Sequence, residues 1–309
     1  MSKVKSQTSK VAPKALQKYG IGIFVRPPVL PEALEASFDV KAPPGVLVSR
    51  EKDTVIIDVP DAFISEEPIR ILGSGRGRAV VAIGRGAEVR IEESFAGRRD
   101  LTVALTLAES SKVAYRGIQK DRDGFVSRTA SVARDASLRW TDIVLGGDFA
   151  RAFTKTLLVG ENAETETDAV FFGSAAQEFD LMHEAVHRAS RTRSELRTRG
   201  ILDGKAKTVA RGLVRIEEGA VGCSGRQRID TLMLSDDAEI DAVPHLEIAN
   251  DDVSCAHAAT VSRLDDAKLF YLMSRGMDRD AATRAYLEAF LRIDDEALLE
   301  DVMKTYGRP

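Results

Sequence analysis

Between about Ala36 and Ser262, apolar and polar positions alternate in short runs rich in β-branched residues: Thr54 to Val59, Ala79 to Ile83, Glu88 to Ile91, Leu101 to Leu107, Ser137 to Leu145, Ala169 to Phe172 and Thr208 to Ile216. Clusters of Gly, Asp, Asn and Ser separate them. A period of two bounded by turn residues is the mark of half-buried strands, so this stretch predicts strand after strand without long amphipathic helices. After Arg263 the period changes. Asp265-Asp266 caps a helix whose apolar face carries Leu269, Phe270, Leu272 and Met273, and Gly276 ends it. A second helix is predicted from Arg279 to Arg292 and a third from Asp294 to about Tyr306. Three parts follow: an N-terminal arm over residues 1–35 with a short helix from Lys14 to Tyr19, a β core over 36–262, and a helical segment over 263–309.

The strand runs repeat. A small or turn residue, then Ala or Ser, then a strand onset occurs at Gly86-Ala87-Glu88-Val89, Ser110-Ser111-Lys112-Val113, Asp135-Ala136-Ser137-Leu138 and Asn162-Ala163-Glu164-Thr165. Later copies are Gly219-Ala220-Val221 and Asp237-Ala238-Glu239-Ile240. The first four stand about 25 residues apart, the length of one solenoid coil. One coil cannot bury its own apolar face, whereas stacked coils can, and their interior favours small aliphatic side chains. The composition agrees: 44% of residues are apolar but only 6% aromatic. A mainly β chain with a parallel β-helix core is the expected architecture. A β-sandwich with similar strand spacing is the alternative. The C-terminal helices are expected to close the solenoid's open end, or else to dock a partner.

Charge removes several function classes. With 44 Lys and Arg against 48 Asp and Glu, the net charge of −4 supplies no field for nucleic acid or anionic lipid. No stretch reaches the ~18 consecutive apolar residues of a membrane span. Two cysteines cannot form a disulfide framework, which points to a reducing cytoplasm.

Two groups of residues carry candidate chemistry. His183-Glu184-Ala185-Val186-His187 matches H-E-x-x-H, which on a helix holds zinc between two imidazoles, with the glutamate as base of a hydrolase. No further ligand motif follows, and Arg188, Arg191 and Arg193 surround the site with positive charge. On a strand the two histidines would stand about 13 Å apart, too far to share a metal. The second group is Cys255 and His257, two apart, which an extended segment places on one face about 6.6 Å from each other.

Around Cys255 three blocks follow one another: Leu234-Ser235-Asp236-Asp237-Ala238-Glu239-Ile240-Asp241-Ala242-Val243-Pro244-His245-Leu246-Glu247-Ile248, then Cys255-Ala256-His257-Ala258-Ala259-Thr260, then Leu269-Phe270-Tyr271-Leu272-Met273-Ser274-Arg275-Gly276. In order and spacing they resemble the SufB/SufD family of iron-sulfur cluster assembly scaffolds. Upstream, His187, Ala189, Thr192 and Ser194 match the family's H-x-A-x-x-T-x-S strand, which moves the H-E-x-x-H match onto a strand. The resemblance implies a right-handed β-helix, pairing of two such subunits as a homodimer or a SufB/SufD-like heterodimer, and an ABC-type ATPase bound at Leu269, Phe270, Leu272, Met273, Arg275 and Gly276. It also implies a transient iron-sulfur cluster, handed to recipient apo-proteins, with Cys255 and His257 as ligands and Cys223 as a further candidate. Positions where SufB-type proteins carry a cysteine read Ile229 and Ala238 here, and the SufB-type glutamate reads Ala258, so the pattern is nearer SufD. In length the chain looks most like a minimal archaeal-type scaffold. A solenoid adaptor without metal is the rival reading.

Overall fold

A computed structural model describes residues 37–306 apart from 121–122 and 294–295; the expected N-terminal arm lies outside the described residues. The first strands are β1 (Ser37–Lys41), β2 (Leu47–Glu51), β3 (Thr54–Val59), β4 (Ile69–Ile83), β5 (Glu88–Leu107), β6 (Lys112–Gln119), β7 (Gly124–Val132) and β8 (Ser137–Val144). They are followed by β9 (Phe149–Leu158), β10 (Glu164–Gly173), β11 (Glu178–His187), β12 (Arg193–Leu202), β13 (Lys207–Ile216), β14 (Cys223–Met233), β15 (Glu239–Ile248) and β16 (Val253–Arg263). Three helices close the chain: α1 (Asp266–Ser274), α2 (Arg279–Leu291) and α3 (Glu296–Tyr306). None of these helices is long and apolar enough to cross a membrane.

From β6 onward, even-numbered strands stack in parallel on one side and odd-numbered strands on the other, the two sheets being continuous through the long strand β5. This is a β-solenoid, as the repeat predicts. The paired residues Glu88, Lys112, Ser137, Glu164, Arg193, Ser224 and Ser254 form one column. Differences between those numbers give coils of 24, 25, 27, 29, 31 and 30 residues, so the solenoid widens along its axis.

One corner of each coil turns on a left-handed residue: Ala62, Gly86, Ser110, Asp135, Asn162, Arg191 and Gly222 all have φ between 55° and 69°. From the second of these on, the next residue is small and buried: Ala87, Ser111, Ala136, Ala163, Thr192 and Cys223. The first four copies of the sequence repeat are therefore structural equivalents. The fifth equivalent is Arg191-Thr192 and the sixth is Gly222-Cys223 in place of Gly219-Ala220, while Asp237-Ala238 belongs to the opposite corner, ahead of β15. A coil that lengthens by several residues shifts the equivalent position past the nearer Gly-Ala pair.

The interior of the early coils is aliphatic, with Ile57, Ile69, Ile71, Val81, Ile91 and Leu101 fully enclosed. Wider coils admit polar groups. Arg128 lies inside, its Nε and Nη2 donating to Glu93 at 2.8 and 2.9 Å and its Nη1 3.2 Å from Asp142. Tyr115 donates to the same Glu93 carboxylate at 2.7 Å, and Asp142 lies 3.4 Å from His183 Nε2. Gly117 makes room for this cluster, since a Cβ there would overlap the Arg128 guanidinium.

The helices do not close the open end, contrary to expectation. Leu287 and Leu291 of α2 and Val302 and Met303 of α3 pack on the outer face of the even sheet against Ile143, Val170, Phe172, Ile201 and Leu232. That face is apolar late in each even strand, and covering it is what the helices' apolar stripes accomplish. The last coil is left bare: β15 is half-buried along its length and β16 is largely exposed.

Candidate functional site

The site is built from the pairing of β14 with β16. Cys223, Gly225 and Gln227 face the interior of the solenoid, as their burial alternates with that of Ser224 and Arg226. Their partners on β16 are Val253, Cys255 and His257, and parallel pairing keeps partners on the same face. Cys255 and His257 thus both point along the inside surface. No coil follows, so Cys255 is only half-buried and His257 is exposed. The predicted pair is brought together at the mouth of the solenoid.

The Cys255 thiol is pushed above its usual range by burial, an effect relieved in part by the Gly225 backbone N–H and reinforced by Cys223. It is a protonated thiol near neutral pH, and a metal must displace that proton to bind. Beneath it Gly225 carries no Cβ because Val214 packs onto that position. A Cβ there would stand 3.5 Å from both Cys255 Sγ and Ser194 Oγ.

Cys223 lies at the corner of the same coil and is buried. Both cysteines are free thiols. Cys223 Sγ is 3.1 Å from Thr192 Oγ1, which is 2.7 Å from His187 Nδ1; His187 Nε2 is 2.8 Å from Ser194 Oγ. The H-x-A-x-x-T-x-S pattern is therefore one bonded unit, in which a Thr takes the corner place held by Ala or Ser in earlier coils. Burial lowers the His187 pKa to about 4, so the ring is neutral.

The zinc expectation for His183, Glu184 and His187 is overturned by the backbone. All three lie on β11, where alternation sends Glu184 outward to Lys155 at 2.9 Å while both histidines face inward on separate columns. His183 is occupied by Asp142 and Thr198. Among the described residues no three His, Cys, Asp or Glu side chains converge to hold a metal ion. Cys255 and His257 therefore share one face at the mouth with no third such side chain converging on them among the described residues.

The expected partner surface divides. On α1, Phe270 and Met273 are 73% and 38% exposed, and just past its end Arg275 and Gly276 are open to solvent. Leu269, expected on that surface, is buried and Leu272 half-buried, so Leu269 anchors the helix and is not open to a partner. Tyr271, which the periodic pattern passed over, is exposed beside Phe270, with the Arg275 guanidinium 5.2 Å from its ring centre.

A family model described as the SufBD core domain of the SUF system for FeS cluster assembly matches residues 73–290, which takes in the solenoid from β4 to α2. The chain belongs to the SufBD family. Similar SufBD proteins include an iron-sulfur cluster assembly SufBD family protein of Staphylococcus epidermidis, 28% identical over 224 residues, 69% of this chain and 48% of the relative. Another, from Mycobacterium leprae, is 30% identical over 192 residues, 61% of this chain and 22% of that protein. The chain spans about half the length of the staphylococcal SufBD relatives it matches.

Proposed function

We propose that the chain is a non-catalytic scaffold subunit on which iron-sulfur clusters are assembled and then handed to apo-proteins in the cytoplasm. The observation that carries this is the placement of Cys255 and His257 on one face at the uncovered mouth of the solenoid, within the matched SufBD core. Thiolate and imidazole are the protein donors that iron-sulfur centres use. A site of two donors suits cargo that must leave. It also suits assembly in pairs: two copies meeting at their bare β15 and β16 edges bring two thiols and two imidazoles to one place. The sequence has no G-x-x-x-x-G-K-[ST] loop, so ATP is used by a partner, an ABC-type ATPase seated on Phe270, Tyr271 and Met273. Anaerobic addition of iron and sulfide should give charge-transfer absorption that Cys255→Ser and His257→Ala each diminish. Full cluster content in both variants would overturn the site.

A further inference from the structure

The half-buried Cys255 has its sulfur seated against the coil beneath. Its Sγ lies 3.5 Å from the place that a Cβ on Gly225 would take, a place crowded by Val214 Cγ1 at 2.5 Å. Gly225 is the register partner of Cys255, and the backbone of β14 is turned to meet it. Ser224 gives its N–H to the Thr192 carbonyl of the preceding coil at 3.0 Å. Successive residues of a strand turn their N–H groups to opposite sides, so that of Gly225 is directed at β16. There it bonds the Cys255 thiol, offsetting part of the rise in pKa that burial causes. Parallel pairing brings the Ser254 carbonyl to the same N–H, so the sulfur takes one arm of a forked bond.

Metal binding changes what this N–H meets. The thiol gives up its proton and becomes a thiolate, and hydrogen bonds to an ionised acceptor are about twice as strong as those between neutral groups. Hydrogen bonds to sulfur are also among the features that set the reduction potential of an iron-sulfur centre. We propose that Gly225 is a positioning residue for Cys255, its backbone N–H donating to the metal-bound sulfur and its missing side chain leaving that sulfur seated on the coil below. The inference rests on the assignment of Cys255 as a ligand.

NMR of the full chain, labelled with nitrogen-15 and loaded anaerobically with cadmium-113, tests it. Cadmium held by Cys255 should show a cross-peak to the Gly225 amide proton, carried by coupling through the N–H···S bond, and Cys255→Ser should erase it. A spectrum without thiolate-bound cadmium, or a cadmium signal that C255S leaves unchanged, would overturn the ligand assignment itself. Thiolate-bound cadmium lost in C255S but lacking the Gly225 cross-peak in the wild type would overturn the role of Gly225 alone. A cross-peak to a different amide in its place would do the same. If C255S does not fold, coupling of cadmium to the Cys255 β-protons of the wild type assigns the ligand, and the Gly225 cross-peak decides the proposal as before.

Discussion

Replacing Arg128 by Met removes the cation that bridges two enclosed carboxylates. Burial opposes the charge on Arg128, but the fields of Asp142 and Glu93 outweigh it and hold the guanidinium protonated. The three side chains are 2%, 5% and 0% exposed for Arg128, Asp142 and Glu93, so water cannot take the arginine's place. Breaking a buried pair by deleting one partner costs about 3–5 kcal/mol, chiefly from the charge left behind. That is a large share of the ~5–15 kcal/mol that stabilises a typical domain. The triple variant Arg128→Met, Glu93→Gln, Asp142→Asn leaves no stranded charge and should recover most of the loss. Urea unfolding followed by tryptophan fluorescence reports directly on the cluster, because Trp140, the single tryptophan, is buried with its ring 4.7 Å from that of Tyr115. A loss below about 1 kcal/mol in R128M, the size of an ordinary substitution, would refute the reasoning, as would a triple variant no more stable than the single one.

Three further outcomes are expected. His187 has a folded-state pKa of about 4, below the ~6.5 of an unfolded chain, so the unfolded state binds its proton first. Stability from this residue is full above pH ~6.5 and falls toward pH 4 by up to about 3 kcal/mol; the stability gap between wild type and His187→Gln should narrow across that window, and a constant gap would contradict it. Gly200→Ala places a methyl against the Phe171 ring, which lies directly on Gly200; the strain of about 1–3 kcal/mol should lower Tm, and an unchanged Tm would show that Phe171 moves aside freely. Phe270→Asp, on a residue 73% exposed, should leave Tm unchanged while preventing co-purification of an ABC-type ATPase; undiminished capture would remove α1 from the docking surface.

Much of the fold was legible from short-range pattern. The corners at Gly86, Ser110, Asp135 and Asn162 combine a residue tolerant of positive φ with a small buried neighbour, and both requirements are visible as residue types. The later corners were hidden because Arg191 is not a turn residue by type, and because Thr192 and Cys223 replace Ala. The position of the helices is marked in the sequence by strands that are apolar on both faces. Val170-Phe171-Phe172 and Gly200-Ile201-Leu202 are apolar on both faces of their strands, which happens only when something covers the outside. The pairing of Cys255 with His257 could be read from spacing, whereas Gly225 beneath Cys255 could not, since their proximity depends on a 30-residue coil closing in register. The cluster of Glu93, Arg128 and Asp142 was out of reach for the same reason, its members coming from three different coils.

The two ends of the solenoid are unlike. At the start, β1 and β2 are five residues each and run antiparallel to the strands they cover, whereas the finish presents ten- and eleven-residue strands, β15 and β16, in the running direction of the stack. A copy added finish to start would meet edges of mismatched length and direction. Among the described residues, that mismatch disfavours polymerisation into a fibre, the standing hazard of any repetitive β architecture. In the proposed pairing of two copies, finish meets finish, and the two long edges are used up in a single step.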